Sequence, residues 1–333
     1  MLRLLGGIGW WRVAGLGSVE VVVGLLPAIT AAAVGVLVSR VATLAARGED
    51  AASVVVPLLA VGVLLVLDLV AWSLLSPLRD AVALRVNGRI RQKVRRAVVA
   101  VPGVDHLDDQ AIRRAAALPV YDQYLFNMGA AAEGQLWLMT RFVGAGASAA
   151  LVALYSPLLA LFSLVLLLTQ RAILRRQYAR VVGPGASERG NAVREAEYWR
   201  SLAVTPTGGK EVRLFGFDGF VLEAFNARRG EVAAVREQLY RSALPRQWIT
   251  FVLSTLAVGV PFVVLTRAAL AGDLSTARLA TALGAVIALT EIGAMGYEAF
   301  SIEAAVPQLA ALRELEGLPV AATRAPGVAA TGR

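Results

Sequence analysis

Residues 142–170 read FVGAGASAALVALYSPLLALFSLVLLLTQ, without one charged side chain. A helix that crosses a bilayer needs about 20 mostly apolar residues, because each adds about 1.5 Å across a hydrocarbon core of about 30 Å. This run is too long for one ordinary span. Tyr155-Ser156-Pro157 supplies the place to break it, since proline is tolerated where a helix begins. The reading is two spans, about 132–154 and 157–173. Working outward, four further segments of this kind fall at about 13–38, 51–75, 248–265 and 277–300, the last being the least apolar. Composition agrees: 57% of the 333 residues are hydrophobic and the mean hydropathy is +0.63, against about 45–50% apolar residues in soluble domains. The fold predicted is all-α, a membrane protein with six transmembrane helices.

The apolar run near the N-terminus is longer than the hydrophobic region of a cleaved signal peptide and contains Glu20, so it is read as a retained span behind a short segment, 1–12. Connections 76–131 and 174–247 are long, and both read as helix rather than coil. Val82, Val86, Ile90, Val94 and Val98 recur every four residues, and Phe217, Phe220, Val221, Ala224 and Phe225 share one helical face. Basic residues set the orientation. With the N-terminus inside, 28 of the 33 lysines and arginines fall on the cytoplasmic side, and only Arg40, Arg47, Arg267 and Arg278 lie in the external loops. The formal charge of +9 is thereby accounted for without nucleic acid. There is no cysteine and the one histidine is His106, which excludes thiolate and multi-histidine metal sites and leaves a membrane-embedded enzyme without its usual chemistry.

Residues 205–217, TPTGGKEVRLFGF, place a lysine after two glycines. A phosphate-binding loop requires G-x-x-x-x-G-K-[ST], so that backbone N–H groups wrap the phosphates and a hydroxyl reaches Mg²⁺. Here Val204 occupies the first glycine position and Glu211 follows Lys210, where a carboxylate repels phosphate. The stretch is not such a loop.

In order and spacing, three stretches resemble the transmembrane domain of a type IV, exporter-type ABC transporter, over about residues 10–318. KEVRLFGFDGFVLEAF (210–225) is similar to the second intracellular loop of bacterial exporters, VPGVDHLDDQAIRRAAALP (101–119) stands in the place of the first, and AGDLSTARLATAL (271–283) is similar to the turn entering the sixth span. The resemblance implies a transmembrane domain over 13–312 with intracellular loops 76–131 and 174–247. It also implies a coupling helix at the tip of each loop, docking on a nucleotide-binding domain. The first tip, about 105–113, includes Asp105, His106, Leu107, Asp108 and Asp109; the second, about 207–215, includes Lys210, Glu211, Arg213, Leu214 and Phe215. Such a tip offers apolar groups to a pocket and charges to its rim; the alternative is that these phenylalanines pack on neighbouring cytoplasmic helices. The 333 residues contain no Walker A, Walker B or S-G-G-Q stretch, and 313–333 is read as a flexible linker or a truncated junction. Mg-ATP is therefore expected on a nucleotide-binding domain, on a separate chain or a missing C-terminal half. Six helices form half of the family's pathway, which implies a homo- or heterodimer. The expected place is the bacterial plasma membrane with both termini cytoplasmic. The function implied is the permease half of an ATP-driven exporter; the alternative is a motor-less structural or regulatory protein derived from one.

Charged groups inside a bilayer cost about 2.5–3.5 kcal/mol or more at mid-membrane, so they face a cavity or each other. Glu20, Asp68, Arg141 and Glu291 fall at similar levels in the inner half, and Glu298 lies two helical turns from Glu291 on the same face. Either they line a substrate pathway accepting polar or cationic molecules, or they are ion pairs holding helices in register. The expected partner of Arg141 is Glu20 or Glu291. Trp10, Trp11, Trp72 and Trp248, near the inner boundaries, read as interfacial anchors.

Overall fold

The computed structural model describes residues 10–47, 52–100, 112, 116, 128–182 and 186–324. Among them the chain forms nine α-helices and one short 3-10 turn, and no strand. The helices are α1 (Trp10–Arg47), α2 (Ala52–Val99), α3 (Met128–Ala153), α4 (Pro157–Val182), α5 (Ala186–Val204), α6 (Pro206–Leu214), α7 (Asp218–Leu270), α8 (Thr276–Leu289) and α9 (Tyr297–Arg324), with the 3-10 turn Thr290–Ile292 after α8. Five segments are long and apolar enough to cross a membrane: Ala14–Ala46, Ala52–Val99, Met128–Ala153, Pro157–Gln177 and Gln247–Leu270. The chain is a multi-pass α-helical membrane protein.

The long apolar run breaks at the proline. α3 ends at Ala153, the Ser156 hydroxyl accepts from Leu159 N at 3.4 Å, and α4 starts on Pro157, whose missing N–H leaves nothing unsatisfied there. The segment expected as a sixth span, 277–300, is not one helix. α8 has 14 residues, about 21 Å of rise. After the 3-10 turn the chain leaves helical geometry through Gly293–Gly296 and resumes as α9. Glycine is a poor helix former, and Gly293 also sits so near α4 that a Cβ there would lie 2.8 Å from Leu167 Cδ2.

The chain divides into two units. The first comprises Met1–Ala172 and Leu253–Arg333. Its largest apolar cluster joins α2 (Val82, Val86, Ile90, Val94), α3 (Met128, Ala131, Leu136) and α9 (Ala305, Leu312, Leu315). The spacing of four along α2 presents one buried stripe because i and i+4 lie on the same face. A second cluster packs Val152, Leu159, Leu265, Ala282 and Val286 together. Apolar lipid supplies no hydrophobic drive for helix association, so close backbone approach through small residues takes its place. Gly24 on α1 and Gly144 on α3 meet in this way: a Cβ on Gly24 would lie 2.6 Å from Thr140 O, and one on Gly144 2.7 Å from Gly24 O.

The second unit, Ile173–Val252, holds α5, α6 and the adjoining parts of α4 and α7. Trp199 of α5 packs edge-on to Phe220 of α7, with ring centroids 5.6 Å apart, beside the buried Ala196 and Val221. Arg228 and Glu195 pair at 2.8 Å across the same two helices; being exposed, the pair contributes at most about 1 kcal/mol.

Candidate functional site

Within the second unit, every punctuating residue of TPTGGKEVRLFGF has a mechanical role. Thr205 caps α6, its hydroxyl accepting from Gly208 N, and Pro206 takes the first helical position. The Gly-Gly pair serves backbone approach: a Cβ on Gly208 would stand 2.8 Å from Leu202 O, and one on Gly209 3.0 Å from Ala203 O, so α6 folds back directly on the end of α5. Gly216 ends the helix at φ +66°, and Phe217 N donates to Val212 O at 2.9 Å. This six-to-one bond is the Schellman closure, which favours glycine at the left-handed position. The outcome is a nine-residue helix whose C-terminal end projects Leu214 (73% exposed) and Phe215 (63% exposed), with Phe215 stacked on Phe217 at 5.9 Å. Lys210, Glu211 and Arg213 are exposed on the same helix. The corner between α5 and α6 is an open hollow lined by Val204, Thr205, Lys210, Arg213 and Leu214. The reading in which Phe215 packs on neighbouring helices does not describe this arrangement. Residues 105–109 of the other expected tip, Asp105, His106, Leu107, Asp108 and Asp109, lie outside the described residues.

In the first unit the intramembrane charges form two separate clusters. Glu20 does not pair with Arg141. Its Oε1 accepts from Arg79 Nε at 2.7 Å and its Oε2 from Arg79 Nη2 at 2.5 Å, and Thr140 Oγ1 donates to the same Oε2; the side chains of Glu20 and Arg79 are both 0% exposed. The sequence expectation, a span ending near residue 75, leaves Arg79 in the connection 76–131. α2 instead runs on without interruption, and Arg79 falls on its buried stripe between Leu75 and Val82. Two neighbouring indoles, their ring centroids 4.5 Å apart, lie against the guanidinium, its Cζ being 4.4 Å from the Trp137 centroid and 5.1 Å from that of Trp72. Cation–π attraction of this kind strengthens when the cation is desolvated. Trp72 is thus a structural neighbour of a buried ion pair. Asp68 is half-buried one turn before Trp72, and its Oδ1 has no hydrogen-bond partner among the described residues.

The second cluster holds the break after α8. Arg141 of α3 donates through Nη1 to Glu298 Oε1 at 2.7 Å and to Ala294 O at 3.2 Å. Arg171 of α4 donates to Ile292 O and to Ala294 O, each at 3.0 Å, with its guanidinium 5.6 Å from the Phe142 ring centroid. Glu298 Oε1 also accepts from Gly296 N at 3.2 Å. Backbone groups freed from helical bonding must find other partners, and here two arginines and one carboxylate provide them. Glu291 and Glu298 do not share a face, because the helix that would align them is interrupted. Glu298 is 4% exposed and directly paired, whereas Glu291 is 63% exposed and 3.8 Å from Arg141 Nη2.

The structure therefore brings together Arg141, Glu298 and, more loosely, Glu291, and separates them from Glu20. Arg79 and Arg171 were missed. Arg79 was findable only in part: a step of three and then one of four back from Val82 reaches residues 79 and 75, whereas a strict spacing of four points to the exposed Leu78 and Leu74. Arg171 carried no such signal, because its partners are backbone carbonyls on a segment read as regular helix. No protein-family model matches the chain, and no curated protein matches it significantly.

Proposed function

We propose that the chain is the permease half of an ATP-driven exporter of the type IV ABC architecture. In this reading the segment around α8 serves as the sixth span, interrupted near its inner end. ATP is hydrolysed on a nucleotide-binding domain that docks on α6, and a second six-helix domain completes the pathway. The observation that carries the reading is the nine-residue α6, which holds Leu214 and Phe215 in solvent beside Lys210 and Arg213. Large apolar groups rimmed by charge suit an interface core better than a free surface. The clusters around Glu20–Arg79 and Arg141–Glu298 then fix the helices that line the pathway, at the level where a cytoplasm-facing cavity would close.

The test is co-purification of the full chain from its native membrane, followed by ATPase and transport measurements on the reconstituted assembly. Truncating a buried interface anchor costs about 2 kcal/mol or more, so Phe215→Ala should uncouple ATP hydrolysis from transport while the membrane domain stays folded and inserted. Lys210→Ala and Arg213→Ala should weaken docking less, and in a salt-dependent way. Recovery of the chain with no associated ATPase, or a Phe215→Ala chain that stimulates its ATPase normally, goes against the reading. The first of these results favours a motor-less structural or regulatory protein.

A further inference from the structure

We infer that α2 carries a binding site for an anionic phospholipid, with the phosphate held by Arg85 and Arg89 and an acyl chain lying along Leu74 and Leu78. The inference rests on the membrane-spanning character of α2 and not on the exporter reading. Along a helix turning 100° per residue, Leu67, Leu74, Leu78, Arg85 and Arg89 fall within about 60° of one another. All five are exposed, on a stripe centred about 80° round the helix from the buried one of Leu75, Arg79, Val82 and Val86. The stripe is apolar to Leu78 and basic from Arg85 onward. A phospholipid has the same order of parts: tail, then charge.

Three observations make this a site rather than a sign bias. First, Arg85 and Arg89 have no hydrogen-bond or ion-pair partner among the described residues, whereas Lys93, further along, pairs with Glu316 at 2.8 Å. Second, the two acids of α2 are Asp68 and Asp80. Asp80 projects about 140° round the helix from Arg85 and Asp68 about 100°, so neither repels an anion on the stripe. Third, helical side chains lean toward the N-terminus of their own helix. For α2 that is the direction of its apolar half, so both guanidinium groups lean back toward Leu78. Their Cα positions lie about 10 and 16 Å beyond Leu78 along the axis. With that lean and the reach of the arginine stem, Arg85 enters a headgroup layer of roughly 5–8 Å and Arg89 stands at its outer edge.

Native mass spectrometry of the purified full chain, titrated with phosphatidylglycerol or phosphatidylcholine, tests the assignment. The wild type should hold phosphatidylglycerol roughly ten- to thirtyfold more tightly, the weight of two juxtamembrane arginines. Arg85→Gln with Arg89→Gln should bring the two lipids to parity. Arg85→Lys with Arg89→Lys should keep the preference. Arg95→Gln with Arg96→Gln removes the same charge from the same helix, about 26 Å beyond Leu78, and should change nothing. The unfolding midpoint of each variant in phosphatidylcholine should match the wild type, since the substituted side chains are exposed. Equal loss from both glutamine pairs would reduce the effect to diffuse charge and overturn the site. So would a wild type without preference, or an Arg85/Arg89 variant that keeps its lipid but loses a co-purified polypeptide.

Discussion

Removing one member of the Glu20–Arg79 pair should damage the fold far more than removing both. The pair is bidentate, at 2.7 and 2.5 Å, with both side chains shut off from solvent. Glu20→Leu leaves the guanidinium beside two indoles without a counter-charge, and Arg79→Met leaves the carboxylate with only the Thr140 hydroxyl. Breaking a buried pair from one side costs about 3–5 kcal/mol, whereas replacing both partners by apolar groups is often close to neutral. A loss of about 4 kcal/mol is nearly a thousandfold in the folding equilibrium. In the double variant Thr140 still donates to Leu136 O at 3.3 Å, so no hydroxyl is stranded. The Glu20→Leu, Arg79→Met protein should therefore lie within about 1–2 kcal/mol of wild type. Unfolding by sodium dodecyl sulfate from mixed micelles, followed by intrinsic fluorescence, reads all four proteins, with Trp72 and Trp137 beside the substitution. Independent sites add within about 0.5 kcal/mol. A double variant whose loss equals the sum of the two singles refutes the reasoning.

Glu298→Gln should cost about 1.5–3 kcal/mol in the same assay, because it removes the charge from the closest partner of a mostly buried Arg141, while Glu291→Gln, exposed and at 3.8 Å, should cost less than about 1 kcal/mol; equal losses would mean that Arg141 does not discriminate between them. Gly24→Val should destabilise by about 1–3 kcal/mol through forced separation of α1 and α3, whereas Gly15→Val, with nothing within 4 Å of the added atoms' origin, should be close to neutral. Gly216→Val places a β-branched residue at φ +66° and should cost about 1–2 kcal/mol, visible as faster amide exchange confined to α6. Single cysteines at Gly216 and Gly272, in a chain that has none, should react with an impermeant reagent from opposite faces of the membrane; labelling of both from one face would break the expected topology.

The membrane helices were legible because hydropathy over 20 residues measures the very property that the bilayer selects. The break at Pro157 was legible because proline constrains its own backbone. Arg79 was misplaced because apolarity ended near residue 75 and the helix did not; hydropathy marks the edge of the hydrocarbon, not the end of α2. Glu291 and Glu298 were aligned on the assumption of an unbroken helix. Gly293 and Gly296 mark the break locally, but the groups that bond its freed carbonyls, Arg141 and Arg171, come from α3 and α4, more than a hundred residues away in the chain, and no local pattern names them. The punctuation of α6 lay wholly within thirteen residues, yet its two glycines were legible only as what they are not, since their close contacts are with Leu202 and Ala203.

An α-helix is stiff because each turn is bonded to the next, so a twist or thrust at one end arrives at the other. Between α8 and α9 that ladder lapses: Ile292 O accepts from Arg171, and Ala294 O accepts from Arg141 and Arg171, instead of from the next turn. α8 and α9 are therefore separate levers sharing a pivot mounted on α3 and α4. A displacement of α9 that reaches α8 also loads two guanidinium groups, whose three hydrogen bonds to Ile292 O and Ala294 O stand where helical bonds would otherwise stiffen the link.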